Sequence, residues 1–165
     1  MPKTSGVKKF SNTVVVGSNE LTPSTVAYTA GDVVGNLLTF TDIVPGDFGG
    51  GTLTGAELID TSTVIASIDL LLFDSIPDST NYDSDNAALD IADTDLARAI
   101  GVISFSSADV KQFADNQIYF VSGGSQGIYL NDDNELYGAL VARSAPSYSS
   151  GETLMVKLHI QRDAE

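Results

Sequence analysis

The amino-acid sequence predicts a mainly β protein, a jelly-roll-like β-sandwich of about 8–10 strands with one short helix. Short runs rich in β-branched residues recur along the chain, and Gly, Pro, Asn or Asp residues separate them, as is typical of strands joined by turns. Aspartate outnumbers glutamate 17 to 5, which favours turns and strand ends over helices. The sequence does not alternate strands with long helices, and this excludes Rossmann and TIM-barrel folds.

The predicted strands are runs of apolar or β-branched residues bounded by turn residues. They span residues 13–16, 25–29, 33–40, 52–60, 65–73, 100–105, 118–121, 127–130, 136–142 and 154–160. Residues 30–32 are predicted to form a turn, and Gly35 indicates a bulge or a close approach of another segment within the third strand. The glycine-rich segment 44–51 is predicted to be a loop.

Three of these strands carry information about which side faces a core. In the last strand, Val156 and Leu158 alternate with Lys157 and His159, so the apolar set is predicted to face inward and the other set outward. The segment 65–73 is apolar on both sides, which indicates a central strand with cover on both faces. The segment 52–60 has no wholly apolar side, and its facing is ambiguous.

One helix is predicted after the polar loop 74–85. Ser84 or Asp85 can cap this helix, and apolar residues recur at helical spacing from Ala87 to Ala97. The run 93–95, Asp-Thr-Asp, favours a break into two short turns. A further brief helical turn is predicted over residues 109–115.

The chain is predicted to divide into a basic N-terminal arm, residues 1–12, and a single β-sandwich domain, residues 13–165. The arm contains three lysines and no acid, and it lacks the apolar period of a strand or helix. Lys3, Lys8, Lys9 and Phe10 are the predicted partner-binding residues, acting as a docking strand or tether. The domain is long enough to build a core without disulfides or metals.

The net charge of the chain is −14, and residues 10–97 contain no Lys or Arg. Because so acidic a body repels phosphate backbones, we expect no nucleic-acid partner. The chain has no Cys, which excludes disulfides and thiolate chemistry. We find neither an apolar run of the ~20 residues that a membrane helix needs nor a secretory signal, and we expect a soluble protein without membrane contact.

The sequence predicts no catalytic site. A Ser–His–Asp triad would have to use His159, the only histidine. Ser125 lies in a Gly-x-Ser-x-Gly pattern, but a nucleophile elbow needs a strand before it and a helix after it, and here the following residues predict a strand. The chain also lacks Trp, the usual platform for sugars. We therefore expect no enzymatic activity and no cofactor.

The acidic residues between positions 74 and 95 raise the possibility of a calcium site, since calcium prefers carboxylate oxygens. Asp83, Asp85 and Asp90 are the candidate ligands, although the EF-hand spacing fails at Ala87. The favoured alternative is that Asp83 and Asp85 cap the helix while Asp90 faces water, with no metal bound.

Several segments resemble a family of small virion structural proteins of tailed bacteriophages. The resemblance extends over about residues 20–162 and contains no catalytic motif. It is carried by residues 27–35, 37–40, 50–53, 69–74, 77, 85–93, 100–103 and 136–141 and by the last strand.

This resemblance implies a capsid decoration (cement) protein, made in the host cytoplasm and placed on the outer capsid surface of the virion. Such a protein binds the major capsid protein, bridges neighbouring capsid subunits and self-associates, with a homotrimer expected. The alternative is a head-fibre or tail-associated β module that binds a glycan or receptor, and a tail-tube role is a further possibility. The loops 46–51 and 78–85 are the expected intersubunit or outward tips.

Overall fold

The computed structural model describes residues 13–43, 50–78, 80–129 and 134–163, and for residues 123–129 it describes the backbone alone. The predicted arm and most of the predicted loop 44–51 lie outside the described residues. In chain order the elements are β1 (Thr13–Gly17), β2 (Val33–Thr41), β3 (Gly50–Asp60), β4 (Ile68–Phe73), α1 (Asp93–Leu96), β5 (Ala99–Phe105), β6 (Val110–Gln112), β7 (Gln117–Tyr129), β8 (Glu135–Ala142) and β9 (Leu154–Arg162).

The strands form two antiparallel sheets that enclose one apolar core. The five-stranded sheet has the order β1-β9-β3-β7-β6, and the four-stranded sheet has the order β2-β8-β4-β5. Phe40, Leu70 and Leu140 of the four-stranded sheet share the buried core with Leu58 and Leu158 of the five-stranded sheet. The predicted mainly β sandwich is therefore confirmed, and its jelly-roll-like connectivity stays a prediction.

A bulge in β3 explains why the facing of this strand was ambiguous in the sequence. The pairing of β3 with both β7 and β9 shifts between Leu53 and Gly55. On either side of the shift, Leu53, Ala56 and Leu58 all point into the core. Because one extra residue changes the alternation of inward and outward side chains, no single period-2 pattern describes the strand.

Strand β4 of the four-stranded sheet is buried on both faces, as predicted. Ile68, Leu70 and Leu72 face the main core, whereas Leu71 and Phe73 face the opposite way and are also buried. These outward residues form a second apolar cluster with Tyr137 and Ala139 of β8 and with Tyr82, Leu89 and Ile91. The last three belong to residues 74–98, which we call the cover segment because it lies over this outer face.

Asp85 attaches the cover segment to β2. Its Oδ1 atom accepts a 2.6 Å hydrogen bond from the Tyr28 hydroxyl and a 2.7 Å hydrogen bond from the backbone N–H of Gly35. Gly35 has φ +73°, and a Cβ atom there would lie 3.0 Å from Leu21, so the predicted bulge is confirmed and requires glycine. Burial, together with the hydrogen bond to Asp85, raises the pKa of the Tyr28 hydroxyl, which keeps this donor protonated.

The helix predicted from Ala87 to Ala97 is wrong for most of its length. The structure has only the four-residue α1, and residues 86–89 run along β2 instead. Backbone hydrogen bonds join Asn86 N to Val33 O, Val33 N to Ala87 O and Leu89 N to Gly31 O. An isolated amphipathic helix this short is marginal, and the open edge of β2 offers the same backbone groups partners inside the fold.

Three other predicted elements differ from the structure. Residues 25–29 form no strand, because Tyr28 is anchored by its buried ring rather than by a ladder of hydrogen bonds. The helical turn predicted over residues 109–115 is instead β6 and the turn after it. The two strands predicted on either side of the glycines at 123 and 124 are one 13-residue strand, β7, because β3 pairs along its whole length.

The crossover from β3 to β4, residues 61–67, is held by buried polar groups whose hydrogen bonds are satisfied. Asp60 accepts a 2.7 Å hydrogen bond from Ser62 N and a 2.8 Å bond from Gln117 Nε2. The Tyr119 hydroxyl accepts a 2.9 Å bond from Ala66 N. Burial raises the pKa of the Asp60 carboxyl above its ordinary value, although these hydrogen bonds oppose the shift.

We predict that Asp85→Ala destabilises the fold by about 2 to 3 kcal/mol, because it removes two hydrogen bonds to a carboxylate and leaves the Gly35 N–H without its acceptor. Urea unfolding followed by far-UV circular dichroism measures the change. The matched control is Asp83→Ala, two residues away and exposed, which should leave the unfolding midpoint unchanged. Equal midpoints for Asp85→Ala and the parent protein would contradict the anchoring role.

Candidate interaction surface

The outer side of the five-stranded sheet is the candidate interaction surface. We call it the open face, because among the described residues no segment lies over it as the cover segment lies over the other sheet. Its most exposed apolar side chains are Val15, at 54% exposure, and Phe120, at 48%. Its outward residues are Val15, Glu57, Ile59, Lys111, Ile118, Phe120, Met155, Lys157 and His159.

Strand register places these side chains in three rows across the sheet. One row runs from Lys111 through Ile118 and Ile59 to Met155. The next contains Phe120, Glu57 and Lys157, and the third contains Gly55, His159 and Val15. Directly paired residues of an antiparallel sheet lie side by side on the same face, so the open face alternates between apolar and charged groups within a few ångströms.

Glu57 is the acidic residue at the centre of the open face. Its Oε1 atom lies 3.0 Å from Nε2 of His159, and its Oε2 atom lies 4.0 Å from Nζ of Lys157. All three side chains are part-buried by their neighbours. Because one carboxylate faces two basic groups, this part of the surface is less negative than the acidic chain as a whole.

Phe120 and His159 contact each other edge to face across β3. Their ring centroids are 5.6 Å apart, with an angle of 76° between the ring planes. In the register of β3, Phe120 is paired with Glu57 and His159 with Gly55. An edge-to-face geometry of this kind is favourable for aromatic pairs.

Two of the few basic residues, Lys111 and Lys157, lie on the open face. Five Lys or Arg residues follow position 10 in the chain, and three of them, Lys111, Lys157 and Arg162, lie on the five-stranded sheet. Arg162 is used internally, because its guanidinium donates hydrogen bonds to the carbonyls of Asp42 and Ile43. Of the other two, Lys157 is paired with Glu57 at 4.0 Å, and Lys111 is exposed on β6.

The residues predicted from the sequence to form sites are not brought together. Lys3, Lys8, Lys9 and Phe10 lie outside the described residues. Asp83 and Asp90 are exposed, whereas Asp85 is bonded to Tyr28 and Gly35. Within the described ranges, no group of three or more Asp, Glu, His or Cys side chains is arranged to hold a metal ion. Asp85 therefore has a structural role, although not the predicted one of capping a helix.

His159 has no arrangement around it that resembles a catalytic triad. Its hydrogen-bond partner is Glu57, and no serine hydroxyl in the described part of the chain is bonded to it. Residues 123–127, which contain the Gly-x-Ser-x-Gly pattern, lie inside β7 with strand on both sides. A nucleophile elbow requires a sharp turn from strand to helix, so the context that this motif needs does not occur there.

The sequence identified part of the open face and missed the rest. Alternation in β9 correctly placed Lys157 and His159 outward. Glu57 and Phe120 were not predicted, because their positions depend on the β3 bulge and on the pairing of β3 with β7. A partial signal exists in β7, where the aromatic residues Tyr119 and Phe120 are adjacent and must therefore point to opposite faces.

Comparison with known proteins identifies no family for the chain. No protein-family model matches it, and no curated protein matches it with significance.

Among the described residues, no helix is both long and apolar enough to cross a membrane.

We predict that Gly55→Ala destabilises the fold by about 1 to 3 kcal/mol, because the added Cβ would lie 2.8 Å from the carbonyl oxygen of Val121. Thermal and urea unfolding measure this loss. The matched control is Gly17→Ala on the same sheet, where the nearest atom to the new Cβ is the Met155 sulfur at 3.9 Å. If both substitutions have the same effect, the bulge at Gly55 does not constrain the open face.

Proposed function

We propose that this protein is a bacteriophage capsid decoration protein that binds the outer surface of the head and bridges neighbouring major capsid subunits. In this proposal it self-associates as a homotrimer and catalyses no reaction. The observation that carries the proposal is the open face, an uncovered sheet surface with exposed apolar and basic groups on an otherwise acidic chain. The resemblance to virion structural proteins described above supplies the class of partner.

The composition of the open face suits a protein partner. Exposed Phe120 and Val15 supply apolar contact area, and aromatic residues are enriched where protein interfaces lose water. Lys157 and His159 are held in place by Glu57, which leaves their outward surfaces positioned for carboxylates of the partner. Such mixed surfaces gain specificity from charge and affinity from burial of the apolar groups.

The acidic charge of the remaining surface fits a protein present in many copies. Like charge on neighbouring copies, and on neighbouring particles, opposes non-specific association. Binding strength on a capsid then comes from many linked contacts, because each copy that binds raises the local concentration of the next contact within a trimer. A modest open face is sufficient for such a mechanism.

The copy number of the protein on purified particles tests the proposed role. We predict a copy number comparable to that of the major capsid protein, as measured by quantitative mass spectrometry. We also predict that particles containing the protein resist heat better than particles that lack it. A few copies per particle, together with binding to host cells, would instead support the head-fibre or tail-associated receptor-binding alternative.

Replacement of Phe120 tests the open face itself. Phe120→Ser should weaken co-sedimentation with heads purified from a virus lacking this protein by about tenfold or more, since buried aromatic anchors dominate interfaces. The free protein should lose at most about 1 kcal/mol of stability, because Phe120 is half exposed.

The matched control for Phe120→Ser is Val26→Ser. Val26 is exposed and lies beside Asn86, near the β2 edge of the opposite sheet. Its replacement should leave co-sedimentation unchanged. Equal losses for the two variants, or full binding by Phe120→Ser, would exclude the open face as the capsid-binding surface.

A further inference from the structure

The sheet edges differ in how their outer backbone groups are satisfied. The outer edge of β2 is bonded to Asn86 and Ala87, to the Asp85 carboxylate at Gly35, and to the Asn19 side chain at Leu37 and Thr39. The edge strand β6 has only three residues. Such protection is the usual way in which proteins prevent a sheet edge from pairing with another chain.

The edge strand β5 has no such protection. It has seven residues, Ala99–Phe105, and contains neither proline nor a charged residue. Its inner edge pairs with β4, and in the described part of the chain no backbone or side-chain group bonds to its outer edge. An edge of this length, apolar and unpaired, is a template for an added strand.

The surroundings of β5 are apolar and acidic. Val102 in the middle of the strand is 54% exposed, and Leu96 and Ile76 beside its start are also exposed. Three exposed aspartates, at positions 74, 78 and 93, lie close to the same end, and Arg98 neutralises one of them, Asp78, through a 2.9 Å ion pair. A strand that binds here should therefore carry basic and apolar side chains.

The N-terminal arm is the segment of this chain with that chemistry. Residues 1–12 contain Lys3, Lys8 and Lys9, no acid, and the aromatic residue Phe10. The arm leads into β1, which packs near β2, whereas β5 packs near β7. Since β2 and β5 are the opposite edges of the four-stranded sheet, the start of β1 lies on the side away from β5.

We propose that the arm of one copy adds as a strand to the outer edge of β5 of a second copy. Backbone hydrogen bonds supply affinity, and the lysines lie near the aspartates at the start of β5, as in other cases of strand addition to a sheet edge. Because β1, which follows the arm, and the acceptor edge are on opposite sides of the molecule, this contact is head-to-tail, the type that closes into rings such as a trimer.

This inference rests on the self-association in the proposed function, but the experiment uses the purified full-length protein without capsids. The experiment can therefore support addition of the arm to β5 even if the protein does not bind capsids. It can equally exclude that contact while capsid binding holds. Because the chain has no cysteine, single cysteines report on one contact at a time. Protein carrying Phe10→Cys is mixed with protein carrying Val102→Cys, oxidised mildly, and analysed by non-reducing electrophoresis and mass spectrometry.

The expected result is a disulfide between the two variants, formed roughly tenfold faster than with Val26→Cys, because strand addition raises the local concentration of the thiols. Val26 is a matched acceptor control, since it is at least as exposed as Val102 and lies at the β2 edge. Adding Lys3→Glu, Lys8→Glu and Lys9→Glu to the Phe10→Cys chain should make cross-linking to Val102→Cys as slow as cross-linking to Val26→Cys. The reason is that the new glutamates would be repelled by the aspartates near β5.

Two results would overturn the inference. One is an equal rate of cross-linking to Val102→Cys and Val26→Cys. The other concerns the double variant that carries both Phe10→Cys and Val102→Cys. In this result, its disulfide forms within one chain, at a rate that does not change on dilution. That outcome would show that the arm occupies its own β5 edge. Both cysteine positions on the domain are exposed, so the variants retain the fold.

Discussion

The attachment of the cover segment to β2 through Asp85 is the constraint on which the rest of the molecule depends. One carboxylate oxygen receives both the Tyr28 hydroxyl and the Gly35 N–H, so two distant parts of the chain meet at one atom. This contact holds residues 74–98 over the four-stranded sheet and buries Leu71 and Phe73. Without the cover segment, an apolar sheet face would be exposed to water, and part of the edge of β2 would be open to other chains.

The two sheets consequently have different roles. The four-stranded sheet packs on the core by one face and is covered at β4 and β8 on the other, whereas the five-stranded sheet presents Phe120, His159 and their neighbours to the outside. Two bulges make this arrangement possible. The bulge at Gly35 directs a backbone N–H toward Asp85, and the shift at Gly55 brings Glu57 to the outer surface while Leu53 and Leu58 stay in the core.

Local patterns in the sequence predicted the fold class, most strands and the facing of β9, because a strand with one buried face must alternate. They failed where a distant partner decides the outcome. The helical spacing from Ala87 onward is real, but pairing of residues 86–89 with β2 is preferred to a short helix. The glycines of β7 were predicted to form a turn, because their pairing with β3 depends on a distant segment of the chain. The sequence predicted only the part of the open face that lies on β9. Glu57 and Phe120 were missed because strand pairing, not local pattern, brings them next to His159.

Electron cryomicroscopy of purified virus particles, at a resolution that shows side chains, tests most directly whether the open face holds this protein on a shell. The account predicts density for the two-sheet sandwich on the outside of the head, with Phe120 and Lys157 against the major capsid protein and the cover segment turned away from it. Particles in which the five-stranded sheet faces solvent, or in which the sandwich is not part of the shell, would contradict it.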